Sequence, residues 1–221
     1  METFQNKKRL IWIVVIILAI IGIAAAIRRA LIIENIIPAF NPPKYPGFDS
    51  GFSKHPVLTL LHIIPGTFFM ILGPLLCIKK IRERNIGAYK RIRAFYFICA
   101  YISGFTALVM SYTVSIGGAN ETAATTLFAI YFIYCLTKAL INTRNGNFVL
   151  YREWLLRSLA IGLAIATTRP IVGIFFATSS LSPHQFFGIA FWLAFTTHLI
   201  VAEAWIRYTR PKYTTHSGLI R

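Results

Sequence analysis

Acidic residues are scarce in this sequence: Asp and Glu together number 7, against 23 Lys and Arg, which leaves a formal net charge of +16. No carboxylates are paired for acid–base work, and no nucleotide-binding glycine loop, HExxH zinc motif or GxSxG elbow occurs. Catalysis therefore has no motif behind it, and a non-enzymatic role is the leaning. Cysteine is rarer still. Cys77, Cys99 and Cys135 stand on separate hydrophobic segments with no CxxC pair, which argues against a disulfide framework or a thiolate metal site. Long polar stretches are missing as well, so no soluble domain of useful size fits.

Apolar length is what the chain has instead. Hydrophobic residues make up 56% of it and charged ones 14%, outside the range of soluble domains. Runs near Leu10–Ile27, Val57–Ile78, Ile92–Val114, Thr122–Ile141, Leu155–Ala177 and Gln185–Ile206 each approach or reach the roughly 20 residues that cross a bilayer. The expected fold is all-α, a polytopic bundle of about six transmembrane helices in contact with lipid. Leu10–Ile27 follows Lys7, Lys8 and Arg9 in the manner of a signal peptide. It lacks a convincing small-residue cleavage site, so it reads as an uncleaved first helix. The expected organisation is residues 1–56 as that helix plus an external loop, 57–209 as the main bundle and 210–221 as a tail. The NPPKYPGFDSGF stretch of the loop is too rich in Pro and Gly for regular structure.

Lys and Arg set the expected orientation. The linker KKIRERNIGAYKRIR carries Lys79, Lys80, Arg82, Arg84, Lys90, Arg91 and Arg93 against Glu83 alone, and the positive-inside rule places it in the cytoplasm. By alternation, Lys138, Arg144, Arg152, Arg157, the RYTRPK segment and both termini are cytoplasmic. The SIGGANE and TSSLSPH turns, which lack Lys and Arg, are external. Arg28 and Arg29 run against this rule. Because the basic residues sit beside hydrophobic segments and form no continuous polar face, they read as orientation signals and lipid headgroup contacts, not as a nucleic-acid surface.

Small residues recur at every fourth position in Ser103, Ala107, Ser111 and Ser115, in Ser158, Gly162 and Ala166, and at Ala190, Ala194 and Ala202. Such stripes let helix backbones approach closely in lipid.

Ionisable groups at membrane depth are unfavourable unless they face the protein interior, and four qualify: His62, Arg169, His198 and Glu203. His62 lies one turn before Gly66. Pro65 leaves the Leu61 carbonyl without its usual amide partner, so a kink beside a polar cavity is expected there. Arg169 precedes Pro170 and follows Thr167 and Thr168; its guanidinium cannot shed its charge and needs an acceptor. For both residues a structural role and a ligand role stay open. The candidate ligand site is His62, Arg169 and Thr168 in the outer half, holding a small polar or amphipathic molecule such as a quinone or a lipid headgroup. One alternative is a transporter or proton pathway that continues to His198 and Glu203. Another is a structural or assembly subunit with a membrane-protein partner and no ligand.

His62 and His198 differ in depth by roughly 14 Å at helical rise, so one haem ligated by both is disfavoured, and the cofactor is otherwise left open. Glu203 with Arg207, and Glu153 with Arg157, are four apart and predict local ion pairs near the cytoplasmic boundary.

The stretches HIIPGTFFMILGPL, YREWLLRSLAIGLAIATTRP and FWLAFTTHLIVAEAW, with the basic linker after the first, resemble the DUF2306 family of predicted bacterial membrane proteins over roughly Val57 to Arg207. The resemblance implies that His62, Gly66, Gly73, Trp154, Arg157, Arg169 and Glu203 are family positions, and that the membrane is the bacterial cytoplasmic (inner) one. Lys90 and Tyr151 stand where the family usually has histidine, and His198 where it has asparagine. A histidine-ligated metal or haem is weakened by those departures, whereas the pocket at His62 and Arg169 is untouched.

Overall fold

Side-chain caps begin three of the long helices. The Asn85 carboxamide oxygen accepts the Ala88 amide at 2.9 Å, and that of Asn147 accepts the Leu150 amide at 3.1 Å. Ser182 and Gln185 form a reciprocal capping box, with Pro183 in the first turn, where its missing amide is no loss. Gly146, at φ 72°, makes the left-handed turn between two of these helices.

The computed structural model describes residues 2–39 and 50–210. Its elements are α1 (Glu2–Ile33), α2 (Ser50–Lys54), α3 (Pro56–Leu76), α4 (Lys79–Arg84), α5 (Ile86–Thr113), α6 (Gly118–Arg144), α7 (Phe148–Thr178) and α8 (Pro183–Thr209). Among the described residues there is no strand, and six helices are long and apolar enough to cross a membrane. The all-α bundle read from hydropathy is the fold observed.

Two expected linkers are partly helical. Arg28 to Ile33 continues α1, and Ser50–Lys54 forms α2 inside the Pro/Gly-rich stretch. The Thr59 hydroxyl, donating to the carbonyls of Phe52 at 3.1 Å and His55 at 2.9 Å, ties that short helix to α3. Residues 41–49 of the same stretch and residues 211–221 of the tail lie outside the described residues. The basic linker is mostly α4 and the start of α5, because Lys, Arg, Glu and Ile propagate a helix well where solvent takes their charges. α3 runs on through Pro65 and Pro74.

α5 lies between α3 and α6, α7 between α6 and α8, and α1 packs on α3 and α7. Only 11% of the most apolar window of α1 is buried, which makes it the most peripheral span. Ile13, Ile98, Phe105, Ile130 and Ile200 project outward, where lipid takes the place of water. The small-residue stripes face inward as expected: Ser158, Ala166, Ala190, Ala194 and Ala202 are buried. At Gly162 a β-carbon would collide with the ring of Phe69, so the glycine permits the α3–α7 approach at mid-height. Toward the end that carries α4, Phe69, Tyr96, Leu136, Tyr151, Leu155 and Leu159 fill the interior. Phe69 stacks on Tyr96 at 5.2 Å and meets Phe132 edge-on at 5.4 Å. That is the basic end of the bundle; the α5–α6 and α7–α8 turns form the far end.

Candidate functional site

The far half of the bundle encloses a cavity of about 210 Å³ that draws residues from all six long helices. Its floor is the aromatic layer of Phe69 and Phe132 beside Gly162, and Arg29, Glu121 and Arg169 line it toward the far end. The hollow follows from side-chain size. Ser103, Gly104 and Ala107 on α5 and Gly22, Ala25 and Ala26 on α1 face inward where larger residues fill the other half. The α5 stripe expected to bring helices together therefore lines a space over part of its length.

His62 enters from α3. Its Nδ1 lies 3.0 Å from the Ser103 carbonyl oxygen and 3.1 Å from the Thr106 hydroxyl. A carbonyl only accepts, so Nδ1 carries the proton, and in the neutral ring Nε2 holds a lone pair. The Thr106 hydroxyl uses its own hydrogen on α5 carbonyls, those of Ile102 at 2.7 Å and Ser103 at 3.0 Å, which leaves it an acceptor toward Nδ1 as well. Helix α5 thus holds the ring in one orientation and one tautomer.

Arg169 lines the cavity from α7 and acts electrostatically on Glu121 of α6. Glu121 is buried. One of its carboxylate oxygens accepts from the amides of Ile116 at 2.8 Å and Gly117 at 2.5 Å and from the Ser115 hydroxyl at 3.3 Å, closing the α5–α6 turn. Arg29 of α1 is buried too, its guanidinium 3.9 Å from the centre of the Phe52 ring.

Of the residues singled out from sequence, His62 and Arg169 meet in this cavity, and three do not join them. Thr168 is buried with its hydroxyl donated to the Ile165 carbonyl at 2.7 Å. His198 places Nε2 at 2.7 Å from the Thr167 hydroxyl. Glu203 is held by Arg157 through two bonds, at 2.5 and 3.0 Å. That pair corrects the expectation of local pairing, since Glu203 joins Arg157 of the neighbouring helix, not Arg207. Glu153 likewise takes Arg210, at 2.8 and 2.7 Å, in preference to Arg157. An adjacent helix can present a guanidinium edge-on for two parallel bonds, which outweighs a single i,i+4 contact. Arg157 also lies 4.5 Å over the Trp154 ring.

Sequence reasoning missed Arg29 and Glu121. The signal for Arg29 was its conflict with the charge rule, a basic residue where orientation disfavours one. Glu121 is the one acidic residue of the SIGGANE turn, and nothing in the sequence shows it folding back into the bundle. Among the described residues no cluster of His, Cys, Asp and Glu is arranged to hold a metal ion.

No curated protein and no solved structure matches the chain. A family model described as "Predicted membrane protein (DUF2306)" matches residues 59–206, a span that holds His62 and Arg169 and leaves α1 outside. With more than half its length matched, including both residues that meet in the cavity, the chain belongs to the DUF2306 family of membrane proteins.

Proposed function

We propose that this protein binds a small amphipathic molecule drawn from the bilayer, a quinone or a lipid headgroup, in the far-half cavity. The observation that carries the reading is that His62 and Arg169, distant in sequence and unfavourable in lipid, line one apolar-walled space. Under the positive-inside orientation the basic end faces the cytoplasm, both termini lie there, and the cavity sits in the outer leaflet of a bacterial cytoplasmic membrane. Binding fits better than a proton pathway, because Glu203 is occupied by Arg157 and His198 by Thr167, and neither lines the cavity. It also fits better than a purely structural subunit, for which a hollow lined by charged groups has no use.

The test is titration of the purified full chain in mild detergent with decylubiquinone and with a lysophospholipid, followed by tryptophan fluorescence. One probe is expected to bind, and His62→Ala and Arg169→Ala each to weaken it about tenfold, the worth of one lost hydrogen bond or charge contact. Failure of both probes, with no small molecule retained on purification, sinks the reading. A reporter fused beyond α8 checks the orientation, with cytoplasmic activity expected.

A further inference from the structure

We infer that the bound molecule is a ring alcohol of the phenol or hydroquinone class, which donates its hydroxyl to Nε2 of His62. This rests on the reading of the cavity as an amphiphile site and adds to it the chemistry of the ligand. Nδ1 of His62 is committed to Ser103 and Thr106, both acting as acceptors. Among the described residues no protein group bonds Nε2. Three of the wall hydroxyls also spend their hydrogens on backbone carbonyls, Thr67 on Ile63 at 2.8 Å, Ser103 on His62 at 3.5 Å and Ser111 on Leu108 at 2.7 Å, while Thr125 of α6 makes no such bond among the described residues. At these three positions the wall therefore offers lone pairs, and toward the far end the guanidiniums of Arg29 and Arg169, which only donate, stand with Glu121, one of whose carboxylate oxygens already accepts three protein hydrogen bonds.

A ligand that satisfies this arrangement has its hydrogen-bond donor directed inward and its acceptors outward. A fully capped quinone or ether places an acceptor against the Nε2 lone pair, which repels it, whereas a hydroxyl complements it. The wall selects the body of the molecule. Phe69, Phe132, Phe191 and Phe195 all line the cavity, and such rings favour edge and offset contacts with another aromatic ring. A hydroquinone with a lipid-soluble tail meets both demands. Recognition of this kind involves no electron transfer.

The experiment uses the purified full chain in detergent under argon, titrated with decylhydroquinone and with the dimethyl ether of the same molecule. Wild type is expected to bind the hydroquinone about tenfold more tightly than the ether, the size of one net hydrogen bond. The diagnostic variant is His62→Asn, whose carboxamide N–H can replace Nδ1 against Ser103 while nothing replaces Nε2. It is expected to bind the two probes alike, with an unliganded melting temperature like that of wild type. Equal binding of both probes by wild type, or a preference that survives in His62→Asn, overturns the inference and leaves the broader binding reading standing. Binding of neither probe overturns the inference and counts against that reading too. Should His62→Asn fail to fold, the wild-type ratio decides alone.

Discussion

The two halves of the bundle are made from the same six helices, and they differ in what their inward positions carry. Near the basic end those positions hold Tyr96, Tyr151, Leu155 and Leu159, all nearly inaccessible, and polar groups are matched to one another. The Tyr89 hydroxyl meets that of Tyr151 at 3.1 Å, and Arg157 grips Glu203. Toward the far end the inward positions shrink to Ser, Gly and Ala on α5 and α1, while the charged residues there border a space. In lipid, water expulsion does not draw helices together, so filling and small-residue contact decide where they touch. A region left unfilled between helices pinned at Gly162 and Phe69 is thus a feature of residue choice, and the proposed binding role rests on it.

If the basic half is the packed one, truncation there has the largest effect. Leu155→Ala, at a side chain 1% exposed, is expected to lower stability by about 3 kcal/mol through the cavity it opens, read from unfolding in mixed detergent and SDS. A loss under 1 kcal/mol would erase the contrast between the halves. Next in size is the ion pair. Arg157→Ala is expected to cost about 2 kcal/mol, because it strands a carboxylate that is only partly reached by solvent. The double change with Glu203→Ala should recover part of that, and strict additivity would deny the pairing. A smaller effect, about 1 kcal/mol, is expected from Tyr89→Phe, which takes one buried partner from Tyr151 and a 3.3 Å bond from the Leu76 carbonyl.

How far this contrast was visible in the sequence varies with the kind of interaction. The six spans were legible because hydrocarbon demands length and apolarity, properties that each segment carries by itself. His62 and Arg169 stood out for the complementary reason, as side chains that hydrocarbon rejects. What lay hidden was anything formed between segments. Glu203 and Arg207 have the spacing of a pair and do not make one, since the better partner comes from α7. Nothing in the sequence marks Glu121, whose carboxylate gathers the amides of Ile116 and Gly117. The α5 stripe shows the same limit. Ser103, Ala107 and Ser111 signal that something comes close, and spacing alone does not distinguish a helix from a ligand.

The sharpest use of the comparison lies in filling the far half. Ala107 faces the cavity from the middle of the α5 stripe, so Ala107→Leu adds three carbons where the structure has room for them. In a packed core such a change strains its neighbours by ~1–3 kcal/mol. Here the added atoms occupy empty volume and gain dispersion contacts with the apolar wall, so stability is expected to stay within about 0.5 kcal/mol of wild type. Binding should move the other way, because the same atoms take the place of ligand: decylubiquinone or decylhydroquinone affinity is expected to fall at least tenfold. The two readouts separate the explanations. A hollow kept for an occupant predicts a stable protein that no longer binds, whereas a hollow that is slack between loosely fitted helices predicts that filling it leaves binding unchanged.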